Sequence, residues 1–483
     1  MMNILFVGAE AAPFAKTGGL ADVVGSLPKA LRQMNIDARV IMPLYGLIDY
    51  NRYHLSYLFS FQFPRRTGTT DVHVHTTIYD GIPFYFIQGW PFFGQENAIY
   101  YGWNADVPRF IFFNQVAMGA AWELRQRTGW FPDVFHVNDW HTGLIPFFLY
   151  ESRFDSVWGK VGSVMTIHNM AYQGEHIGGW MWELGIPGRN HPDLVYQDLT
   201  DNTLAIGIAY SDMVTTVSPR YAIEIQYPYM GYGLHGLVRT RANDLYGILN
   251  GIDQERWNPE TDPLIVSHFN ADNFKEMRPP NKRQLQINCG LPVRDDVPLI
   301  GLVSRLDAQK GLDLAIPALR RLLSTTDAQF VGLGTGSPDL NYELWRIGQD
   351  FPLRCRTFVE HNLEIAQRIY AGCDIFLMPS HFEPCGMGQM IAMRYGALPL
   401  VRETGGLADT VVNYDNGAAD VGTGFVFNWT QADALYNTIN WALDTYRNRR
   451  DAWQRMQERG MRTDFSWDKS AREYANLYQK IID

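Results

Sequence analysis

Short apolar runs ending in glycine, proline, serine or asparagine recur along this chain, with stretches of helical spacing between several of them. Asn3-Ile4-Leu5-Phe6-Val7-Gly8 is the first, and DARVIMP (37–43), DVFHVN (133–138), GSVMTIHN (162–169) and DMVTTVS (212–218) repeat the pattern. Runs this short and this uniformly apolar predict parallel strands covered on both faces. Residues 21–34 and 109–126 have the spacing of intervening helices. Within 72–87 the pattern changes: VHVHTTIY and PFYFI flank Asp80-Gly81, which predicts a hairpin added to the sheet.

The pattern then restarts. VPLIGLVSR (297–305) reads as a new first strand, AQFVGLG (328–334) as a second and DIFLMPS (374–380) as a later one. ALPLVRETGG (397–406) is one more strand running into a glycine loop. The turn-rich stretch LNGIDQERWNPETDPL (249–264) joins the two halves as a hinge or linker, and 467–482 reads as a closing helix. Strands alternating with helices predict an α/β protein of two Rossmann-like, doubly wound domains facing each other across a deep cleft. The expected boundaries are 1–250, 251–464 and a C-terminal helix at 465–483 able to cross back to the first domain.

Composition narrows the function. A chain of 483 residues exceeds one compact core, and its net charge of −10 argues against nucleic acid or an anionic membrane as the main partner. A local basic pocket is still allowed. No stretch approaches the roughly 20 apolar residues of a membrane helix. The N-terminal apolar run has no basic region before it and soon meets Glu10, so it reads as a strand rather than a signal peptide. Cys289, Cys355, Cys373 and Cys385 form no CxxC pair, which suggests neither structural zinc nor a redox dithiol. The expectation is a soluble, cytoplasmic protein.

The hexapeptide TGGLAD occurs twice, at 17–22 and 404–409, each time where a strand should give way to a helix. Such loops, one per domain, either grip a ligand from both sides or are simply tight strand-to-helix turns. Lys16 places a cation beside the first loop. In SRLDAQKG (304–311), Arg305 and Lys310 stand between a strand end and the next helix, where two cations can neutralise a diphosphate. Glu383, in HFEPCGMGQM (381–390), can hold sugar hydroxyls or cap a helix. Cys385 in the same loop has no base near it in sequence and reads as a packed thiol rather than a nucleophile. NDWHTG (138–143) and HNMAYQG (168–174) make Asp139, His141 and His168 further candidates. His73 and His75 alternate with valines and read as structural. A dinucleotide oxidoreductase would need GxGxxG after the first strand, and GAEAAPFAKTGG does not supply it.

Taken together, KTGGLADV, NDWHTGL, HNMAYQG, NGID, SRLDAQKG, FEPCG and TGGLADTV resemble the glycogen and starch synthases of glycosyltransferase family 5, in order from Asn3 to about Tyr478. The resemblance implies the GT-B fold. It also implies transfer of glucose from ADP-glucose, with UDP-glucose the alternative, to the non-reducing 4-hydroxyl of an α-1,4-glucan or malto-oligosaccharide with retention of configuration. By motif, Lys16 would lie against the donor's phosphate or glucose, with Gly18 and Gly19 giving close backbone approach. Arg305 and Lys310 would stabilise the leaving diphosphate, and Glu383 would hold sugar hydroxyls beside Cys385 and Gly386. Thr404, Gly405, Gly406 and Leu407 would complete the phosphate grip. His168 would sit beside the glucose, with Asp139 and Asn250 on the glucose or acceptor side. No metal or other cofactor is implied. Where many related retaining enzymes carry a second glutamate, eight residues after the first, this chain has Ile391, so no ribose contact is assigned. No side chain stands out as a carboxylate nucleophile, which favours a front-face reaction.

Overall fold

A computed structural model describes residues 1–66, 68–417 and 420–483. These form two compact units, Met1–Gly251 with Trp467–Asp483, and Ile252–Ser466.

In the first unit the strands are β1 (Asn3–Val7), β2 (Asp37–Pro43), β3 (Ser56–Arg65), β4 (Gly68–Tyr79), β5 (Ile82–Gly89), β6 (Val134–Asn138), β7 (Gly162–Ile167), β8 (Met213–Thr216) and β9 (Leu245–Gly247). Their order is β3-β4-β5-β2-β1-β6-β7-β8-β9, and only β4 runs antiparallel to its neighbours. The apolar runs occupy the middle, where Ile4 to Val7 and all of β6 are buried. The expected hairpin is β4–β5, paired from Tyr79↔Ile82 back to Val72↔Gly89. Asp80 and Gly81 both take positive φ (48° and 75°), the turn that matches strand twist. Strands β3 and β9 escape the sequence pattern. The first is an amphipathic edge strand, and the second has only three residues.

The helix Trp467–Ile482 packs on the helix Gly19–Gln33 and on β7. Its buried Tyr478 hydroxyl meets His136 Nδ1 at 2.6 Å, and His136 Nε2 meets Thr166 Oγ1 at 2.6 Å. Burial lowers the His136 pKa to about 3, so the ring is a neutral link in this chain of hydrogen bonds.

The second unit holds β10 (Leu299–Leu306), β11 (Gln329–Gly336), β12 (Cys355–Phe358), β13 (Ile375–Met378), β14 (Leu398–Arg402) and β15 (Phe425–Phe427), all parallel, in the order β12-β11-β10-β13-β14-β15. Ile300, Phe330, Ile375, Leu400, Phe425 and Trp453 belong to one core. The segment read as a linker is tied into the second unit near its end: buried Asp262 accepts from Tyr395 OH at 2.7 Å and from Gln367 Nε2 at 3.0 Å. All four cysteines are buried free thiols. No helix among the described residues is long and apolar enough to cross a membrane.

From β5 onward in the first sheet, and throughout the second, the chain order reverses once, between β1 and β6 and between β10 and β13. Loops that leave the carboxyl ends of such strands diverge and leave a crevice where parallel α/β sheets bind ligands.

Candidate functional site

In the second unit the loops after β10, β13 and β14 are laced together. Lys310 Nζ lies 2.6 Å from Glu383 Oε2, and Ser380 Oγ donates to the same oxygen at 3.1 Å. His381 N donates to Gln309 O (2.8 Å), and Gln309 Nε2 donates to Phe382 O (3.1 Å). Arg402, at the end of β14, donates through Nε to Ser380 O at 2.8 Å. Gly406 N donates to the carbonyls of Glu383 and Pro384, both at 3.1 Å. Buried Gln389 spreads one amide nitrogen over Cys385 O, Gly386 O and Thr410 Oγ1, each at 3.1 Å.

Lys310, Glu383, Cys385, Gly386 and the segment Thr404, Gly405, Gly406 and Leu407 are therefore neighbours. Arg305 stands apart on the last turn of β10, with a side chain 48% exposed and 3.3 Å from Asp307 Oδ2. Its guanidinium is paired near solvent, whereas the Lys310 ammonium is paired in a more buried setting. Ile391 is buried, four residues into the helix Gly388–Arg394, and offers no polar atom to a ligand.

In the first unit the glycine loop after β1 opens the helix Gly19–Gln33. Lys16, 43% exposed, pairs with both Asp22 oxygens at 2.6 and 2.7 Å. Gly18 and Gly19 have space where a side chain would be. After β6, Asp139 takes φ 56° and ψ −176°, a conformation almost reserved for glycine, and its Oδ1 accepts from His168 N at 2.7 Å. Such strain persists only where the surroundings fix it, and here the Asp139 N–H to Thr166 O bond (2.9 Å) helps to do so. Burial raises the Asp139 carboxyl to about 7, against two backbone hydrogen bonds that lower it.

His168 Nε2 faces Asn138 Oδ1 at 2.9 Å. The Asn138 amide nitrogen already donates to Val7 O and His136 O (3.0 and 3.3 Å), so the oxygen faces the ring and His168 Nε2 is the donor. Burial holds His168 neutral, with its pKa lowered to about 3. His141 is likewise neutral and packs between Trp140, Phe110 and Tyr100. Asn250 is buried just past β9, its Oδ1 without a hydrogen-bond partner among the described residues. His73 and His75 project from β4 beside Tyr57 and Tyr50. No group of three His, Cys, Asp or Glu able to hold a metal ion is found among the described residues.

Sequence reasoning passed over Glu10, Tyr100, Asn138, Ser380 and Gln389. All but Ser380, whose hydroxyl reaches Glu383 three residues on, act on backbone or on a partner distant in sequence. Only Glu10 left a trace, as an acid in an otherwise apolar stretch.

Two parallel-sheet α/β units with binding loops at the strand ends define the GT-B class of glycosyltransferases. Solved structures bear this out at the level of the fold. Sucrose-phosphate synthase from Thermosynechococcus elongatus superposes with a TM-score of 0.63 at 15% identity, covering 100% of this chain and 99% of that one.

The chain belongs to the glycogen and starch synthase family. The model described as "Starch synthase catalytic domain" matches residues 3–240, and that described as "Glycosyl transferases group 1" matches 289–459. The glycogen synthase of Streptococcus gordonii is 43% identical over 100% of both chains. Glycogen synthase 1 of Geobacter sulfurreducens is 41% identical over 100% of this chain and 96% of that one. The catalytic domain of starch synthase IV from Arabidopsis thaliana, solved bound to ADP and acarbose, has a TM-score of 0.89 at 32% identity, covering 100% and 99% of the two chains. The protein is thus a glycosyltransferase of the glycogen/starch synthase type.

Proposed function

We propose that this enzyme moves glucose from ADP-glucose to the non-reducing 4-hydroxyl of an α-1,4-glucan with retention of configuration, in the cytoplasm. The observation that carries the reading is the Lys310–Glu383 pair between the ends of β10 and β13, with Arg305, itself paired with Asp307, on the end of β10. A cation placed where negative charge develops on a leaving diphosphate lowers the barrier, and removing one such group typically costs about 10²–10³ in kcat. The starch synthase IV structure holding ADP and acarbose supports an adenine nucleotide donor and a glucan acceptor for its relative here.

In this reading Lys310 and Arg305 take the diphosphate, the segment Thr404 to Leu407 supports it through backbone amides, and Glu383 holds glucose hydroxyls. Lys16 exchanges Asp22 for the donor. His168, Asp139 and Asn250 line the glucose and acceptor side. The C1–O bond to phosphate breaks, a bond from C1 to the acceptor 4-oxygen forms on the same face, and the acceptor's proton passes to the departing phosphate oxygen. The two acidic side chains assigned to the site are engaged, Asp139 by backbone N–H groups and Glu383 by Lys310 and Ser380, which favours this route over a carboxylate nucleophile.

The test is to incubate the protein with ADP-glucose or UDP-glucose and a malto-oligosaccharide. Chain lengthening that is faster with ADP-glucose, with α-linked product by NMR, is the expected result. No lengthening with either donor would leave a sugar-nucleotide sensor as the better description. A glucosyl group trapped on an acidic side chain would end the front-face proposal.

A further inference from the structure

The glycine loop after β1 does not hold its own shape. Its backbone at Thr17 and Gly18 turns inward to one side chain, Glu10, which is only 4% exposed. Glu10 Oε2 accepts from Thr17 N in a very short hydrogen bond and from Gly18 N at 3.2 Å. Its other oxygen accepts from Tyr100 OH at 2.6 Å. All three partners are donors, so an acceptor-only, ionised group suits the position, and hydrogen bonds to a charged acceptor are roughly twice as strong as neutral ones. Burial and the nearby Glu10 charge push the Tyr100 pKa well up, which keeps the phenol a donor.

Tyr100 is itself delivered by a fixed loop. Arg109 is buried in the helix Trp103–Thr128. It donates to Phe92 O (3.1 Å), Ile99 O (3.2 Å) and Asp106 Oδ1 (2.8 Å). Asp106 in turn accepts from Tyr101 N at 3.1 Å and from Gly102 N at 2.9 Å. Arg109 and Asp106 thus fix the backbone on either side of Tyr100, at Ile99 and Tyr101, and the Tyr100 hydroxyl meets Glu10, which holds the two residues that follow Lys16.

We infer that Glu10 is a positioning residue for the transfer reaction: it sets the backbone of the glycine loop, and so the approach of Lys16, Gly18 and Gly19 to the donor, without touching the donor itself. This rests on the reading that the loop contacts the donor. Where a loop sits within hydrogen-bond reach of a reacting group, a displacement of about 1 Å can cost about 10²-fold in rate.

The test uses the full chain, with ADP-glucose and a malto-oligosaccharide, and compares Glu10→Ala, Glu10→Gln, Tyr100→Phe and Lys16→Ala. Glu10→Ala should lower kcat about 10²-fold. Glu10→Gln, which keeps one acceptor oxygen, should recover to within about tenfold of wild type, and Tyr100→Phe should lose less still. Hydrogen exchange gives a readout independent of turnover. The Thr17 and Gly18 amides should exchange faster in Glu10→Ala, and by about tenfold in Glu10→Gln, while β2 is unchanged.

Turnover lost in Lys16→Ala but kept in Glu10→Ala overturns this inference alone. Wild-type turnover in both overturns the donor-loop reading and this inference with it. Should Glu10→Ala fail to fold, unchanged exchange at Thr17 and Gly18 in Glu10→Gln overturns it. Equal loss of activity and melting temperature in both Glu10 variants would mark a merely structural residue and also overturn it.

Discussion

In the first unit the TGGLAD sequence follows β1 as an open turn, and a methyl group added at Gly18 or Gly19 would meet no atom within 4 Å. In the second unit the same six residues follow β14 as a packed one. Gly405 takes φ 44°, and a methyl group there would overlap the Glu383 carbonyl, while one at Gly406 would overlap Cys385 O. The side chains differ in the same sense: Thr17 is exposed and Thr404 is buried. Even the supports are opposite. The first loop hands its N–H groups to a carboxylate, whereas the second donates Gly406 N to carbonyls of a neighbouring loop. Glycine in the second copy is required by the protein's own backbone. Glycine in the first leaves bare a surface that the chain itself does not cover, as close approach to a donor would require.

The contrast breaks most visibly in stability. Gly406→Ala, or Gly405→Ala with its positive φ, should destabilise the second unit by about 3 kcal/mol or more, lowering its melting temperature by roughly 10 °C in calorimetry. Lys310→Gln should leave melting near wild type, because a donor for Glu383 remains, while kcat falls about 10²-fold in a chain-elongation assay. Gly18→Ala and Gly19→Ala should melt within about 1 °C of wild type and yet lose about tenfold in kcat/KM for the donor. If these variants melt as early as Gly406→Ala, the two copies are not different and the comparison fails.

The last comparison concerns the carboxylates. Glu383 has a lysine partner, while Asp139 has no cationic one among the described residues. Burial raises Asp139 from 3.8 to about 7, so between those values the folded protein keeps a proton that the unfolded chain has released. Its contribution to stability is complete below about pH 4 and declines as pH rises to about 7. Asp139→Asn removes that decline and tolerates the positive φ. Its melting temperature relative to wild type should therefore climb between about pH 4 and pH 7 and then level off. A difference that stays flat with pH would show that Asp139 does not titrate there.

The parts of the fold legible in sequence were those that repeat over several residues and are covered on both faces. The strands β1, β2, β6, β7, β8, β10, β11, β13 and β14 announced themselves as apolar runs, and Asp80-Gly81 announced its hairpin. Strands β3, β9, β12 and β15 are the edges of the two sheets, only partly covered, and so lack the uniform apolar run of a strand buried on both faces. At the candidate site, Lys310 and Glu383 were readable because each stands beside a strand end and a turn. Gln389 was not: its function is to bridge three backbone and hydroxyl groups that converge only once two loops have packed.

The sequence by itself determined two doubly wound halves, the family they belong to, and which loops carry charge and glycine, because these follow from local pattern and composition. The tertiary structure alone decided what each residue does there. It gave Asp139 its strained backbone and raised carboxyl, brought Tyr100 against Glu10, and set opposite demands on two identical hexapeptides. Burial, close contact and hydrogen-bond direction arise between segments far apart in the chain, and a local pattern holds no record of them.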